Sequence, residues 1–269
     1  MAEDPTQTPS VARMYDYFLG GTHHTPVDRA AADVVIAANP DQRRLVRANR
    51  DYLGRVVREL AGGYGIRQFV DIGSGLPTAD PVHEVAARVA PDVRVVYVDH
   101  DPAVVAESRA LLADGGGRHV TAIAGNLLDP ESVLGDPDLV AVLDPEQPIA
   151  VLMLAVLHFF SDRDDPFGAV AAYRDLLAPG SSLALSYLGT GDDPEWEDKL
   201  DATEDVYQGA SQQYFPRTRL QVLRFFEGFE LLEPGLSTVA EWRPDSAPDP
   251  DLARIATYGF AGVGRKPTT

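Results

Sequence analysis

Two short apolar runs, each ending in an acid, mark the first place where chemistry is legible. In FVDIGSGLPT a strand-like run ends at Asp71 and is followed by Gly73, Ser74 and Gly75. Glycines there let the backbone approach a ligand closely at the carboxyl end of a strand, where open α/β sheets bind cofactors. The same turn also occurs where glycine is needed only for its backbone angles. In VVYVDHDP a second run ends at Asp99, 28 residues after Asp71. A carboxylate at that tip can accept both hydroxyl hydrogens of a ribose, which marks a nucleoside-type cofactor. The alternative, an acid capping the next helix, is better served by Asp101 before Pro102, which leaves Asp99 free. In IAGNLLDP, Asn126 can exchange hydrogen bonds with an adenine edge while Leu127 lies against the ring, or it can be an ordinary turn asparagine. A pyrophosphate cofactor would call for G-x-G-x-x-G, and Thr78 stands where the last glycine belongs. Hydride transfer is disfavoured accordingly.

His158 closes the run LMLAVLHFFSD, after the fourth strand-like segment. With an unperturbed pKa of about 6.5, a histidine there can take the proton of a reacting hydroxyl or amine. It can equally be a partly buried histidine paired with a backbone carbonyl. Tyr207, Tyr214 and Phe215 sit among Asp201, Glu204 and Asp205, a mixture suited to walling a pocket for an amine-bearing molecule or to a packed helix with an acidic outside. His23 and His24 with Asp28 fall short of the three or four convergent ligands a metal needs, so no metal is expected.

These residues need a scaffold of alternating strands and helices. Strands are read at 68–71, 93–99, 120–124, 149–154 and 182–188, with helices at 81–90, 102–113, 130–134 and 166–177, the pattern of a parallel sheet with crossover helices. A further helix at 216–226 and a closing antiparallel pair at 229–242 and 257–264 follow an acidic stretch of helical tone from 190 to 213. Ahead of the sheet, Ser10 is placed to cap a short helix stopped by Gly20 and Gly21, a second helix spans 27–38, and a third starts at Asn39-Pro40. That third helix has one apolar face and carries Arg43, Arg44, Arg47, Arg50, Arg55 and Arg58 on the other. The arginines read as a solvated face, from which Arg47 or Arg50 can reach the carboxylate of a cofactor.

With 23 Lys+Arg against 41 Asp+Glu in 269 residues, the formal charge of −18 repels phosphate backbones and anionic membranes, so neither nucleic acid nor a membrane is an expected partner. The absence of cysteine excludes disulfides and thiolate chemistry and permits a cytoplasmic life. The opening residues read as a frayed terminus, not a signal peptide. The length suits a single structural unit.

The segments SVARMYDYFLGG, VDR, DIGSGLPT, VHEVA, YVDHDP and AVLHF, spread over about two thirds of the chain, resemble the class I S-adenosyl-L-methionine-dependent methyltransferases. They are closer still to an actinobacterial subgroup long catalogued as a domain of unknown function. The resemblance implies a Rossmann-like open twisted α/β sheet, mostly parallel with a C-terminal antiparallel strand. It implies a helical extension and lid over residues 1–66 and a methyltransferase domain over 67–269, as one unit. It places Asp71, Gly73, Ser74 and Gly75 around the methionine moiety, Asp99 on the ribose with His100 beside it, Asn126 and Leu127 at adenine, and Ala155 in the same cofactor set. The YDYxLGG segment looks like a lid, which brings in Tyr15, Tyr17, Gly20 and Gly21. Relatives carry a Lys-Asp-Asn-like run where this chain has Thr22-His23-His24. His83 in VHEVA reads as structural. The expected acceptor is a small molecule entering between the lid, the loop at His158 and the segment around Tyr214, with His23, Tyr214 and Phe215 as contacts. The rival readings are a non-catalytic protein that keeps the cofactor pocket as a sensor or scaffold, and a nicotinamide-dependent oxidoreductase.

Overall fold

The computed structural model describes residues 8–113, 119–190, 213–247 and 249–268. The acidic stretch with Tyr207 lies outside the described residues. Five parallel strands form the body of the sheet: β1 (Gln68–Ile72), β2 (Arg94–Asp99), β3 (Val120–Ala124), β4 (Ala150–Leu154) and β5 (Ser182–Leu188). Then come β6 (Glu230–Leu231), β7 (Ser237–Thr238) and β8 (Gly259–Arg265), giving the spatial order β3-β2-β1-β4-β5-β8-β6 with β7 also on β8. β8 runs antiparallel to β5 and to both short strands, so the expected closing pair is a strand added to the sheet edge with two short partners.

Strands covered on both faces must be apolar throughout, and β1 is buried at every position. Its side chains alternate between two cores. Phe69 joins Val95 and Tyr97 of β2 on one face, while Val70 and Ile72 join Val96 and Val98 on the other. The first face is covered by α3 (Gln42–Gly62), α4 (Val82–Ala87) and α5 (Pro102–Ala113). The second is covered by α6 (Pro130–Leu134), α7 (Pro137–Val142), α8 (Pro166–Leu176) and α9 (Arg219–Leu223). From β1 the chain winds outward to β3 and then returns to β4 on the other side of β1, so connections leave β1 and β4 in opposite directions and open a crevice at their carboxyl ends.

Before the sheet, α1 (Val11–Phe18) and α2 (Pro26–Ala38) pack on each other and on α3 through Met14, Phe18, Ala32, Val35 and Val46. Ser10 sits at the N-cap of α1, but its side chain makes no capping bond; its N–H donates to Asp28 at 2.8 Å. Asn39 closes α2 and does not open α3, which starts at Gln42 after Asp41, since the N–H of Asn39 is already taken by Val35. The arginine face of α3 is not simply solvated. Arg55 donates to the carbonyls of Trp242 and Val239, Arg58 pairs with Asp245, and Arg44 pairs with Asp249. Loop carbonyls that no strand satisfies need donors from elsewhere, and this helix supplies them. α7 and α10 (Pro250–Ile255) are additional to the sequence reading. Their Asp-Pro starts, at Asp136-Pro137 and Asp249-Pro250, are the signals that would have found them. No helix among the described residues is long and apolar enough to cross a membrane.

Candidate functional site

The crevice at the carboxyl ends of β1 and β4 is a cavity of about 720 Å³, covered by α1 and bounded by α3. Its floor is the turn after β1. Gly73 and Gly75 have φ of 68° and 59°, and a Cβ on Gly73 would collide with the Val156 side chain. Glycine at 73 is thus required by its backbone angle and by the loop after β4. The turn is tied to the neighbouring strand. Gly73 and Ser74 donate to the carbonyl of Val98, and Gly75 donates to the Asp99 carboxylate at 3.0 Å.

Asp99 is nearly buried, and its other oxygen accepts the N–H of Asp101 at 3.0 Å. Asp101 itself caps α5 through the N–H of Ala103. Asp99 therefore combines a turn role with an open face. A carboxylate has about four lone-pair sites, so two backbone donors leave room for two more, one of them on the side of His100. His100 lies 3.4 Å from it, and that hydrogen bond to Asp99 raises the imidazole pKa against the opposing effect of burial. Asn126 lines the cavity while its Oδ1 accepts the N–H of Leu128, so it is a turn asparagine with its amide nitrogen to spare; Leu127 lines the cavity from the core. Ala155, also in the wall, is held at φ 52° by N–H bonds to the carbonyl and hydroxyl of Ser186. A non-glycine residue held there stores strain of the kind that collects at ligand sites.

Asp71 and Arg50 face the cavity side by side in charge but not in contact. Asp71 is fully enclosed, and burial pushes its carboxyl up to about 7 against the pull of the Arg50 charge, with Asp99 adding to the rise. Tyr15 lines the same wall, its ring 5.5 Å from the Arg50 guanidinium and its hydroxyl accepting from Asn49 at 2.8 Å.

Not every residue singled out in the sequence reaches the cavity. Two positions apart on a helix, Tyr15 and Tyr17 point to opposite sides. Tyr17 hydrogen-bonds Asp33, carries Arg43 over its ring at 4.5 Å, and lies outside the described lining. Gly20 and Gly21 end α1 without lining the cavity. A Cβ on Gly21 would strike the carboxylate of Asp16. His23 pairs with Glu107 of α5 at 3.1 Å on the surface. Tyr214 and Phe215 are taken up elsewhere, Tyr214 by the carbonyl of Leu188 and Phe215 by His158 and Tyr187. Their neighbour Gln213 is the one of that group in the lining.

His158 is buried and absent from the described lining. Its Nδ1 accepts the Leu188 N–H at 3.4 Å, its carbonyl accepts the Phe215 N–H at 2.7 Å, and Phe159, Tyr187 and Tyr214 surround the ring. Burial, reinforced by Arg217, lowers its pKa to about 3. The imidazole is neutral throughout the physiological range, and its environment is that of a structural histidine. The wall is instead presented by Val156, Phe159 and Phe160.

Two buried acids give the N-terminal segment its place, and sequence reasoning missed both roles. Asp16 accepts from Thr78 at 2.7 Å and from the His23 N–H at 2.7 Å, tying α1 to the loop after β1. Asp28 accepts from Ser10, Arg13 and Thr25. Burial alone would raise its pKa, but Arg13 and these donors together hold it below the usual carboxylate range. Asp28 is thus the partner of Arg13, not of His23 and His24, and no metal-ligand cluster occurs among the described residues.

The chain matches a family model described as S-adenosyl methyltransferase over residues 3–267. It is similar to a crystal structure of a DUF574-family protein from Streptomyces avermitilis, with 38% identity, a TM-score of 0.89, and coverage of 97% of this chain and 99% of that one. It is also similar to a candidate methyltransferase from Thermobifida fusca, with 41% identity, a TM-score of 0.87, and coverage of 98% and 97%. An O-methyltransferase family protein from Burkholderia thailandensis shares the fold at 17% identity and a TM-score of 0.53, with 97% of this chain and 65% of that chain covered. A comparison with curated proteins found no match. With an open, mostly parallel sheet, its cavity at the ends of β1 and β4, and a family match along nearly its whole length, the chain belongs to the S-adenosyl methyltransferases, with S-adenosyl-L-methionine as their cofactor.

Proposed function

We propose that this methyltransferase acts in the cytoplasm on a small organic acceptor, methylated inside the cavity beneath α1. The observation that carries this reading is the cavity itself. At about 720 Å³ it falls in the range of small-molecule sites, and residues between Thr8 and Asp16 line one side of it. The net charge of −18 supports the same choice against a nucleic acid.

The wall residues fit the cofactor. Asp99 has lone pairs available for ribose hydroxyls, Asn126 has its amide nitrogen available and Leu127 an apolar face for adenine, and Gly73, Ser74, Gly75, His100 and Ala155 complete the surface. When bound, the cofactor supplies a methyl group on a good leaving group. The chain's task is to orient the acceptor and exclude water, which is where most of the rate of such a transfer arises. Phe159, Phe160 and Gln213 are the proposed acceptor contacts, in place of His23, Tyr214 and Phe215. His158 holds the strand end at Leu188 and the chain at Phe215, and so positions Phe159 beside it. The test is to incubate the protein with methyl-labelled S-adenosyl-L-methionine and actinobacterial metabolite extracts. Label should appear in a small molecule. Label in RNA or protein would refute the acceptor class, and tight cofactor binding without any transfer would replace the enzyme by a sensor.

A further inference from the structure

We infer that the methyl acceptor is an uncharged aromatic molecule, and that the side-chain amide oxygen of Asn49 receives a hydroxyl or N–H group carried on its ring. The inference rests on the small-acceptor reading above and names the chemistry of that acceptor.

Asn49 stands on α3 and lines the cavity. Its Nδ2 donates to the Tyr15 hydroxyl at 2.8 Å, and that hydroxyl uses its one proton on the carbonyl of Val46 at 3.4 Å. The hydroxyl therefore accepts from the amide, which turns the nitrogen towards Tyr15 and leaves the oxygen at the other end. Asn49 Oδ1 is buried and has no hydrogen-bond partner among the described residues. Buried polar atoms in folded proteins are nearly always paired, so a lone acceptor in a cavity wall points to a donor that arrives with a ligand. The last torsion of an asparagine is broad, and a modest turn about it brings the oxygen to the cavity face. With the ribose hydroxyls assigned to Asp99 and the methionine moiety to Asp71, the cofactor leaves this oxygen without a donor.

The rest of the wall sets what carries that donor. The cofactor set takes the turn after β1, the end of β2 and the loop after β3. What remains includes Tyr15 and Leu19 at α1, and Leu154, Val156, Phe159 and Phe160 at and beyond the end of β4. All six are half-buried, three are aromatic and none carries a charge. Of the charged lining residues on α1, Arg13 is paired with Asp28, and Asp16 accepts from Thr78 and from the His23 N–H. A ring stacks on such a surface, whereas a charged acceptor would lose its hydration there with nothing to replace it. A sugar would leave most of its hydroxyls unpaired against the same side chains. The amide oxygen orients the ring and is too weak a base to take a proton from it.

Equilibrium dialysis against protein saturated with S-adenosylhomocysteine tests this with three probes. 2-Naphthol has the ring and the donor, 2-methylnaphthalene has the ring alone, and decahydro-2-naphthol has the donor on a saturated frame. Wild-type protein should bind 2-naphthol at least about fivefold more tightly than either of the others. Asn49→Leu, shown to be folded by circular dichroism, should bind 2-naphthol and 2-methylnaphthalene within about twofold of each other and keep its S-adenosylhomocysteine affinity within about threefold of wild type. If the variant does not fold, the wild-type comparison decides alone. Equal wild-type affinity for 2-naphthol and 2-methylnaphthalene would overturn the role of Asn49, and equal affinity for 2-naphthol and decahydro-2-naphthol would overturn the aromatic class. A larger loss of S-adenosylhomocysteine affinity in the folded variant would put the amide at the cofactor and overturn the inference. Binding of S-adenosylhomocysteine with none of the three probes would overturn it and leave the cofactor reading intact. Label reaching an aliphatic small molecule in the extract experiment would overturn it and leave the small-acceptor reading intact. Failure of wild type to bind S-adenosylhomocysteine would overturn the cofactor reading and the inference with it.

Discussion

If Asp71 receives the ammonium of the cofactor's methionine moiety, as the family resemblance implies, lowering the pH from 8 to 6 should weaken the binding of S-adenosylhomocysteine by about tenfold, because its carboxyl must first give up its proton. The groups facing Asp71 are Arg50 from α3 and Asp99 and Tyr97 from β2; burial keeps the Tyr97 phenol neutral. With burial as the largest effect, the Asp71 pKa is about 7 in the free protein. At pH 6 about nine tenths of the molecules then carry the proton, and at pH 8 about one tenth. A bound ammonium favours the carboxylate, so binding at pH 6 should release about 0.9 proton. Stability of the free protein runs the opposite way. The unfolded carboxyl ionises near 3.8 and the folded one near 7, so between these values the folded state holds the extra proton. Stability contributed by this group therefore declines as pH rises through that window, by at most about 4 kcal/mol, and is flat above it. Calorimetry in two buffers of different ionisation enthalpy counts the protons directly. 5′-Methylthioadenosine, without an ammonium, isolates any contribution of His100, whose pKa is raised beside Asp99, and Asp71→Asn should reduce the pH dependence of S-adenosylhomocysteine binding to that same level. A wild-type affinity that does not change between pH 6 and 8, with no proton released, would refute the reasoning.

Asp99→Ala should weaken binding of the same ligand at least about tenfold, since a charge-assisted partner of the ribose is lost; unchanged affinity in calorimetry would remove Asp99 from the site. Asp28→Ala leaves Arg13 buried beside an empty place and should cost about 3 to 5 kcal/mol in urea unfolding, whereas a loss under about 1 kcal/mol would mean the pair is dispensable. The Asp28 pKa is lowered, so its stabilisation is present above the unfolded value of 3.8 and disappears only as pH falls through its lower folded value. His158→Gln should leave cofactor affinity unchanged and lower turnover by less than about tenfold, with no change in the pH–rate profile between about pH 5 and 8. A loss of about 10²- to 10⁴-fold confined to kcat would make the histidine a base after all. Hydrogen exchange of Ser10 to Gly21 should slow when S-adenosylhomocysteine is added, and equal protection with and without it would make α1 plain scaffold.

The strands were legible because buried parallel strands are continuous apolar runs and their crossover helices begin at Pro102, Pro130 and Pro166. β3, β5, α5 and α6 have the bounds read from the sequence. The start of α3 was misplaced because Asn39 and Pro40 suit a helix start by type, while the chain uses Asn39 to finish α2. For the candidate site, the glycine turn and the acids at the strand ends were visible because strand ends carry their side chains to one edge whatever surrounds them. His158 was not legible in this way. Its position after the fourth strand is the same for a base and for a buried structural ring, and only the packing of Tyr187, Tyr214 and Phe215 around it separates the two.

By itself the sequence determined local periodicity, turn chemistry and strand-end residues, and through these the α/β class, the parallel body of the sheet and the edge at which a cofactor fits. Those properties depend on near neighbours along the chain. The tertiary structure decided which charges are paired. Six arginines on one helix are equivalent in sequence, yet Arg55 and Arg58 secure the C-terminal segment while Arg50 is left buried without a partner opposite Asp71. Tyr15 and Tyr17 likewise differ only in which side of α1 they occupy once the helix has docked, and Asp16 and Asp28 fix that docking through partners up to 62 residues away. Burial and the company of distant charges are properties of the packed chain, and they separate a residue that can meet a ligand from one that completes the fold.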